Sequence, residues 1–433
     1  MKNAIIRSCA LLLLLTPPFY LHAQENPASF LHSLPGVKVE VLTPGKHFTE
    51  RYLLWIEQPV DHLQPSSGTF QQRVLLSIRK GATTMIFNTD GYDIEDYLDP
   101  DYVHELSTLL EAHQLDVEHR YYPPSSPQNR DWTYLTVAQA AADHHRIVAL
   151  LKPLFQGAWV GTGISKGGQA AMFHRYYYPD DVDITVGYVC PLAFSTEDLR
   201  VYSFLREVGD TFCRTRIRAF QERMLREREE LMPAFIKAAE KKGLRYFMGY
   251  DKAYELLVLE YAFAFWQWGS MDCSRIPLDA RKPSVLIGHL DSVADLEWVS
   301  EGFLTDNPFF YQALTEIGMY GYDTSGWHGL LRFMDVPGFE FACPSGTQCL
   351  YNPETMQKVD AFVRHHARQM LFLYGEYDPW SATAVQWSGN PGVRVHIHKG
   401  GSHRTRIMNL DEPARKELTT LLKTWLTEIG KQK

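Results

Sequence analysis

The chain has 433 residues, of which 45% are apolar and 22% charged, and a formal net charge of −8. That length holds one large domain with an insertion or two ordinary ones, and the composition excludes a mainly disordered chain. The acidic balance, without basic runs, argues against nucleic acid as a partner.

The N-terminus reads as an export signal. Lys2 and Arg7 give a positive start, an apolar run follows from Cys9 and Ala10 through Leu15, and Leu21-His22-Ala23 offers a small-residue cleavage site. The run is well short of the ~20 residues that a membrane span needs, and no later stretch is long and apolar enough. The expectation is a secreted or periplasmic chain from which residues 1–23 have been removed; losing Lys2 and Arg7 takes the net charge from −8 to −10.

Residues 24–45 carry Pro and Gly without clear periodicity and read as a loose lead-in. Short β-rich runs follow at 52–58, 73–78 and 85–88. Helical spacing at 105–113 and 137–154 alternates with strand patterns at 115–118 and 158–161, which predicts a parallel, doubly wound sheet. The alternation breaks after Phe194. From about 200 to 340 the pattern is mostly helical, with a charged stretch at 222–230 read as a solvated helix face and a Lys241-Lys242-Gly243 stop. An apolar-aromatic segment at 256–268 reads as core, its tail Phe265-Trp266-Gln267-Trp268 suited to facing a cleft. The sheet pattern resumes at 370–374 and 393–398. A last amphipathic helix at 413–429 carries Leu418, Leu421, Leu422 and Trp425 at helical spacing. The expected organisation is one sheet domain, 24–199 with 341–433, interrupted by a helical cap over 200–340.

Export permits disulfides. Cys9 leaves with the signal. Cys343 and Cys349 flank a short loop and are the easiest pair; Cys213 with Cys273 would be the second. Cys190 is then the odd thiol, a small buried hydrophobe in a strand.

The central chemical signal is Gly163-Ile164-Ser165-Lys166-Gly167, of the form G-x-S-x-G, in which small residues allow a sharp strand-to-helix turn that exposes the serine hydroxyl. As a bare pattern it turns up by chance in roughly one chain in ten of this length. Here a strand pattern precedes it and a helical one, 169–177, follows, the context of an α/β-hydrolase. A serine hydroxyl needs a base, and the base needs a carboxylate to orient it; in that fold the order is Ser, then Asp or Glu, then His. Asp378 follows the strand pattern 370–374, with Glu376 as the fallback acid. His403 follows the next strand in Gly400-Gly401-Ser402-His403. An oxyanion hole would use the backbone N–H of Lys166 and a second N–H from the loop after the third strand, at Gly91 or Tyr92. His144-His145 and His365-His366 lie on helical patterns where neighbours diverge, and His396 and His398 read as a hydrogen-bonded or exposed pair. Neither H-E-x-x-H nor a P-loop is present; no metal and no cofactor is expected.

Several segments together resemble a family. Gln58-Pro59-Val60-Asp61-His62, Glu118-His119-Arg120-Tyr121-Tyr122 and Asp378-Pro379-Trp380 look like the secreted prolyl-directed serine exopeptidases, the group of prolyl carboxypeptidase and dipeptidyl peptidase II. Ser165-Lys166-Gly167-Gly168 and Phe263-Ala264-Phe265-Trp266-Gln267-Trp268 are closer to the bacterial prolyl tripeptidyl aminopeptidases. The resemblance covers residues 48–430. It implies release of short peptides from a free N-terminus, often after Pro, beneath a cap, with Ser165, Asp378 and His403 as the triad. Trp380 resembles a tryptophan that the group places near the substrate proline. One departure is Thr89-Asp90-Gly91-Tyr92, where the family pattern has Glu in the second position. Asp90, Glu118 and Glu376 are open choices for pairing with a peptide's α-ammonium. An esterase or lipase shares the same residues, a carboxypeptidase would add a cationic site for a terminal carboxylate, and an inactive binding protein could keep the scaffold. Nothing in the sequence sets an oligomeric state.

Overall fold

In a computed structural model, residues 26–269, 272–334 and 338–431 are described; the expected signal, 1–23, lies outside them. Nine strands build one sheet: β1 (Val37–Leu42), β2 (Glu50–Pro59), β3 (Thr69–Ile78), β4 (Met85–Thr89), β5 (His113–Val117), β6 (Trp159–Ile164), β7 (Ile184–Tyr188), β8 (Met370–Gly375) and β9 (Val393–His398). Their order is β1-β2-β3-β5-β4-β6-β7-β8-β9. Pairings up to β3–β5 are antiparallel, and those from β5–β4 onward are parallel. This is an α/β-hydrolase sheet.

β8 reads as an unbroken apolar run because both faces of the inner sheet are covered, whereas β4 and β5 bury Asn88, Gln114 and Asp116, which bond to one another. Met370, Phe372 and Tyr374 of β8 pack into a core shared with the helical insertion. Leu371 and Leu373, pointing the other way, meet Leu418 and Leu422 of the helix Glu412–Gly430.

Two strands depart from expectation. β1 lies within the stretch read as a loose lead-in; the alternation Val37-Lys38-Val39-Glu40-Val41 is the signal which that reading passes over. β1 makes Met85–Thr89 the fourth strand, so the loop 90–92 follows the fourth strand and not the third. β7, wholly buried between β6 and β8, is a further parallel strand that the sequence reading does not name.

Between β7 and β8 the chain leaves the sheet for a mostly helical insertion. Its longest helix, Tyr250–Trp268, is buried along most of its length. The run 222–230 is not a solvated face. It spans the break between the helices Thr211–Arg226 and Arg228–Lys241, and the turn at Glu227 aims Arg228 inward, where it is 2% exposed and paired with the buried Glu255. The last helix before β8, Glu354–His365, packs back against the sheet layer, with Phe362 edge-on to Tyr176. Disulfides join Cys213 to Cys273 and Cys343 to Cys349. Cys190 is a buried free thiol, two residues beyond β7 and not within it. Among the described residues no helix is long and apolar enough to cross a membrane.

Candidate active site

Ser165 sits between β6 and the helix Lys166–Tyr177 with φ 56° and ψ −121°. A non-glycine residue with positive φ costs on the order of 1–3 kcal/mol and persists only where its surroundings enforce it. The enforcement is visible: the Ser165 N–H donates to the Tyr188 carbonyl at 2.8 Å, and its carbonyl accepts from the Gln169 N–H at 3.0 Å. A Cβ on Gly163 would lie 2.2 Å from the Gly167 carbonyl carbon, and one on Gly167 would lie 2.3 Å from the Asp90 carbonyl oxygen. The glycines of the motif are therefore demanded by backbone contact.

The acid and the histidine sit on loops beyond β8 and β9. Asp378 is fully buried, with both oxygens engaged: Oδ2 lies 2.7 Å from His403 Nδ1, and Oδ1 accepts the Trp380 N–H at 3.2 Å. A carboxylate only accepts, so Nδ1 carries the ring proton and Nε2 is left as the basic atom. The His403 loop is pinned at both backbone groups. Its N–H donates to the Gln267 carbonyl of the insertion at 2.8 Å, and its carbonyl accepts from Arg406 at 3.2 Å. Glu376 points elsewhere. It is exposed and accepts the Gly400 N–H at 2.7 Å, bracing the loop without reaching the imidazole.

The loop after β4 lies against the elbow: a Cβ on Gly91 would stand 2.7 Å from the Gly167 nitrogen. Lys166, whose backbone follows the serine, has a buried side chain that donates to the Gly91 carbonyl and lies over the rings of Tyr92 and Tyr122 at 5.4 and 5.1 Å. Burial lowers this ammonium to about 7, partly offset by the charge of Asp90. The Tyr92 N–H, one of the two expected oxyanion donors, is given to Asp90 Oδ2 at 3.2 Å. What Tyr92 brings to the serine's surroundings is its side chain, which lines the same cleft as Ser165. Of the two expected backbone donors, the Gly91 N–H is the one without this commitment to Asp90.

Ser165, Lys166, Tyr92, Asp90, Trp380 and His403 all line one cleft of about 670 Å³. Of the three carboxylates proposed for a peptide amine, only Asp90 lines it. Glu118 is fully buried and held by Arg73 at 3.1 Å and by Ser125, because β3 and β5 are neighbours and bring these side chains together inside the fold. Asp90 accepts from the Tyr97 hydroxyl, and burial raises its carboxyl to about 7 against that hydrogen bond. Asp93 and Asp96, exposed on the same loop and lining the same cleft, were missed; their recurrence every third residue after Asp90 was the available signal. Trp380 is wedged edge-on against Phe263 and Tyr320 at 5.4 and 5.2 Å. Behind it Glu260, raised to about 8 by burial, accepts from Tyr320 and Tyr322 at 2.8 and 2.9 Å.

The family described as PS-10 peptidase S37 matches residues 28–425. The chain belongs to the S37 peptidase family. It is a serine peptidase. Within reach of this family the chain is 32% identical to a prolyl tri/tetrapeptidyl aminopeptidase of Streptomyces mobaraensis over 421 residues, covering 93% of this chain and 87% of that one. A lysosomal Pro-X carboxypeptidase of Bos taurus is 27% identical over 198 residues, 40% of this chain and 39% of that one. The solved proline iminopeptidase of Mycobacterium smegmatis overlays with a TM-score of 0.41 and 12% identity, over 86% of this chain and 99% of that one; an overlap at that level adds nothing to the assignment.

Proposed function

We propose that this S37 peptidase is a secreted aminopeptidase that releases short, proline-ended peptides, tripeptides foremost, from free N-termini. The observation that carries the reading is the single cleft shared by Ser165, His403, Trp380 and the aspartates of the loop after β4. Ser165 Oγ attacks the scissile carbonyl while His403 Nε2 takes its proton. The oxyanion is met by the backbone N–H of Lys166, with the Gly91 N–H and the Tyr92 hydroxyl on its other side. His403 passes the proton to the departing amine, the C–N bond breaks, and water, deprotonated by the same imidazole, releases the acyl group and restores the serine. Asp378 holds the imidazole in the tautomer this requires. The α-ammonium lies toward Asp90, Asp93 and Asp96, and the proline ring packs on Trp380. The helical insertion, taken as a cap over 200–340, limits access to chain ends. The disulfides and the positive-apolar start of the chain support export. No cofactor enters any step.

The test is kcat/KM for an Ala-Ala-Pro amide, its acetylated form and an Ala-Ala-Ala analogue, with Ser165→Ala as control. The reading expects acetylation to cost about a hundredfold or more, since a partly buried carboxylate loses its partner. It expects Ser165→Ala to lose on the order of a millionfold in rate. Equal rates for free and acetylated peptides would exclude an aminopeptidase.

A further inference from the structure

We propose that Arg404 recognises a carboxylate on the leaving-group side of the cleaved bond. The enzyme then favours substrates whose departing fragment presents a carboxylate, terminal or side-chain, within a residue or two of that bond. This rests on the reading that Ser165 and His403 carry the reaction.

The base that takes the serine proton must hand it to the departing amine, so the leaving fragment lies on the His403 side of Ser165. Sheet order decides what else lies there. The loop with Asp90 follows β4, on one flank of β6; the loop with His403 follows β9, on the other flank beyond β7 and β8. The bound peptide therefore has its amine toward the aspartates and its departing end toward residues 400–406.

Arg404 stands on that second side, next in the chain to the base. It is exposed, lines the same cleft as Ser165, and places its guanidinium 5.8 Å from the Trp268 ring. Trp268 is in turn edge-on to His403 at 5.7 Å, so the arginine rests on a wall fixed relative to the imidazole. Its charge is uncommitted: among the described residues no carboxylate pairs with it. Asp291 and Asp295, which share an adjoining hollow with it, are held by Lys242 at 2.5 and 3.6 Å. The other cleft arginine of this loop, Arg406, is spent on the carbonyls of His403 and Thr405. A planar guanidinium with free N–H groups at the mouth of the leaving side suits a carboxylate, which it can bind with two parallel hydrogen bonds.

The experiment compares three peptides with one acyl part: Ala-Ala-Pro-Ala as the free acid, the same peptide as its C-terminal amide, and Ala-Ala-Pro-Asp amide. At low salt the wild type should favour a carboxylate-bearing peptide over the neutral amide by about two- to fivefold in kcat/KM, the upper part of the range of an exposed ion pair. The preference should fade in ~1 M salt, where the screening length falls to about 3 Å. Preference for the free acid alone identifies the chain terminus as the source, and preference for the Asp peptide alone identifies the side chain; either supports the proposal. Arg404→Gln should bring the rates together and Arg404→Glu should invert them. No preference in the wild type, or one that survives Arg404→Gln, overturns the proposal. Turnover of the neutral amide by Ser165→Ala would instead overturn the underlying catalytic reading, so the two failures are separable.

Discussion

Replacing Asp378 by Asn tests the site at its most constrained atom pair. One carboxylate oxygen faces His403 Nδ1 at 2.7 Å and the other faces the Trp380 N–H at 3.2 Å, in a position with no solvent exposure. Asparagine keeps the shape but has one acceptor and one donor group. If its oxygen stays on the Trp380 N–H, the amide NH₂ faces Nδ1, which must then become an acceptor; the ring proton moves to Nε2 and the base is lost. That outcome costs about 10⁴ in kcat, or about 5 kcal/mol at 1.36 kcal/mol per decade. If the amide flips, His403 keeps its tautomer but the NH₂ is set against the Trp380 N–H. Burying that unsatisfied donor costs about 1–3 kcal/mol and disturbs the ring that we assign to the substrate proline. The two outcomes separate cleanly: the first lowers kcat with proline preference intact, the second lowers stability and proline preference together. The assay is kcat and KM for matched Pro and Ala peptides, beside thermal unfolding and active-serine labelling by a fluorophosphonate. A variant retaining more than about one hundredth of wild-type kcat, with unchanged melting and unchanged proline preference, refutes the role given to Asp378. So does Glu376→Gln proving the more damaging change.

Lys166→Met removes the ammonium that holds the Gly91 carbonyl while keeping the backbone N–H beside the serine. The Gly91 donor should drift, and kcat should fall about a hundredfold, the cost of one oxyanion donor, with KM changing far less; a change confined to KM would contradict this. Asp90, raised to about 7 chiefly by burial, is neutral below that pH and charged above it. KM for free-amine peptides should therefore climb as pH falls from 7, by up to about tenfold per unit, while Asp90→Asn and acetylated substrates give flat profiles over the same window. Parallel profiles for wild type and Asp90→Asn would move the amine site to Asp93 or Asp96. Trp380→Ala should reduce the Pro-over-Ala ratio by about tenfold, the loss of a ring contact of roughly 0.5–1.5 kcal/mol with part of its buried area, and should spare kcat on the Ala peptide. An unchanged ratio would remove Trp380 from the proline site.

The residues whose placement depends on local chain geometry could be read from the sequence. Gly163, Ser165 and Gly167 announce a strand-to-helix turn because only glycine fits at 163 and 167, where a Cβ would stand 2.2 and 2.3 Å from a neighbouring backbone atom. Asp378 and His403 follow apolar strand patterns at the distance one loop requires, and the structure sets them 2.7 Å apart. Cys343 and Cys349 were legible as a pair because only a short loop separates them; Cys213 with Cys273 was a second choice among the remaining thiols, and the structure joins both pairs.

What the tertiary structure alone decided is which of several chemically equivalent side chains face the cleft. Asp90, Glu118 and Glu376 all stand on strand-end loops, and no periodicity distinguishes them. The adjacency of β3 and β5 consigns Glu118 to Arg73, 45 residues away, and the path of the His403 loop turns Glu376 to Gly400. Lys166 and Arg228 likewise look like surface cations until the fold buries one against Gly91 and the other against Glu255. A charged side chain is driven either to water or to a partner. When the partner lies far along the chain, only the order of the strands and the packing of the insertion bring it near.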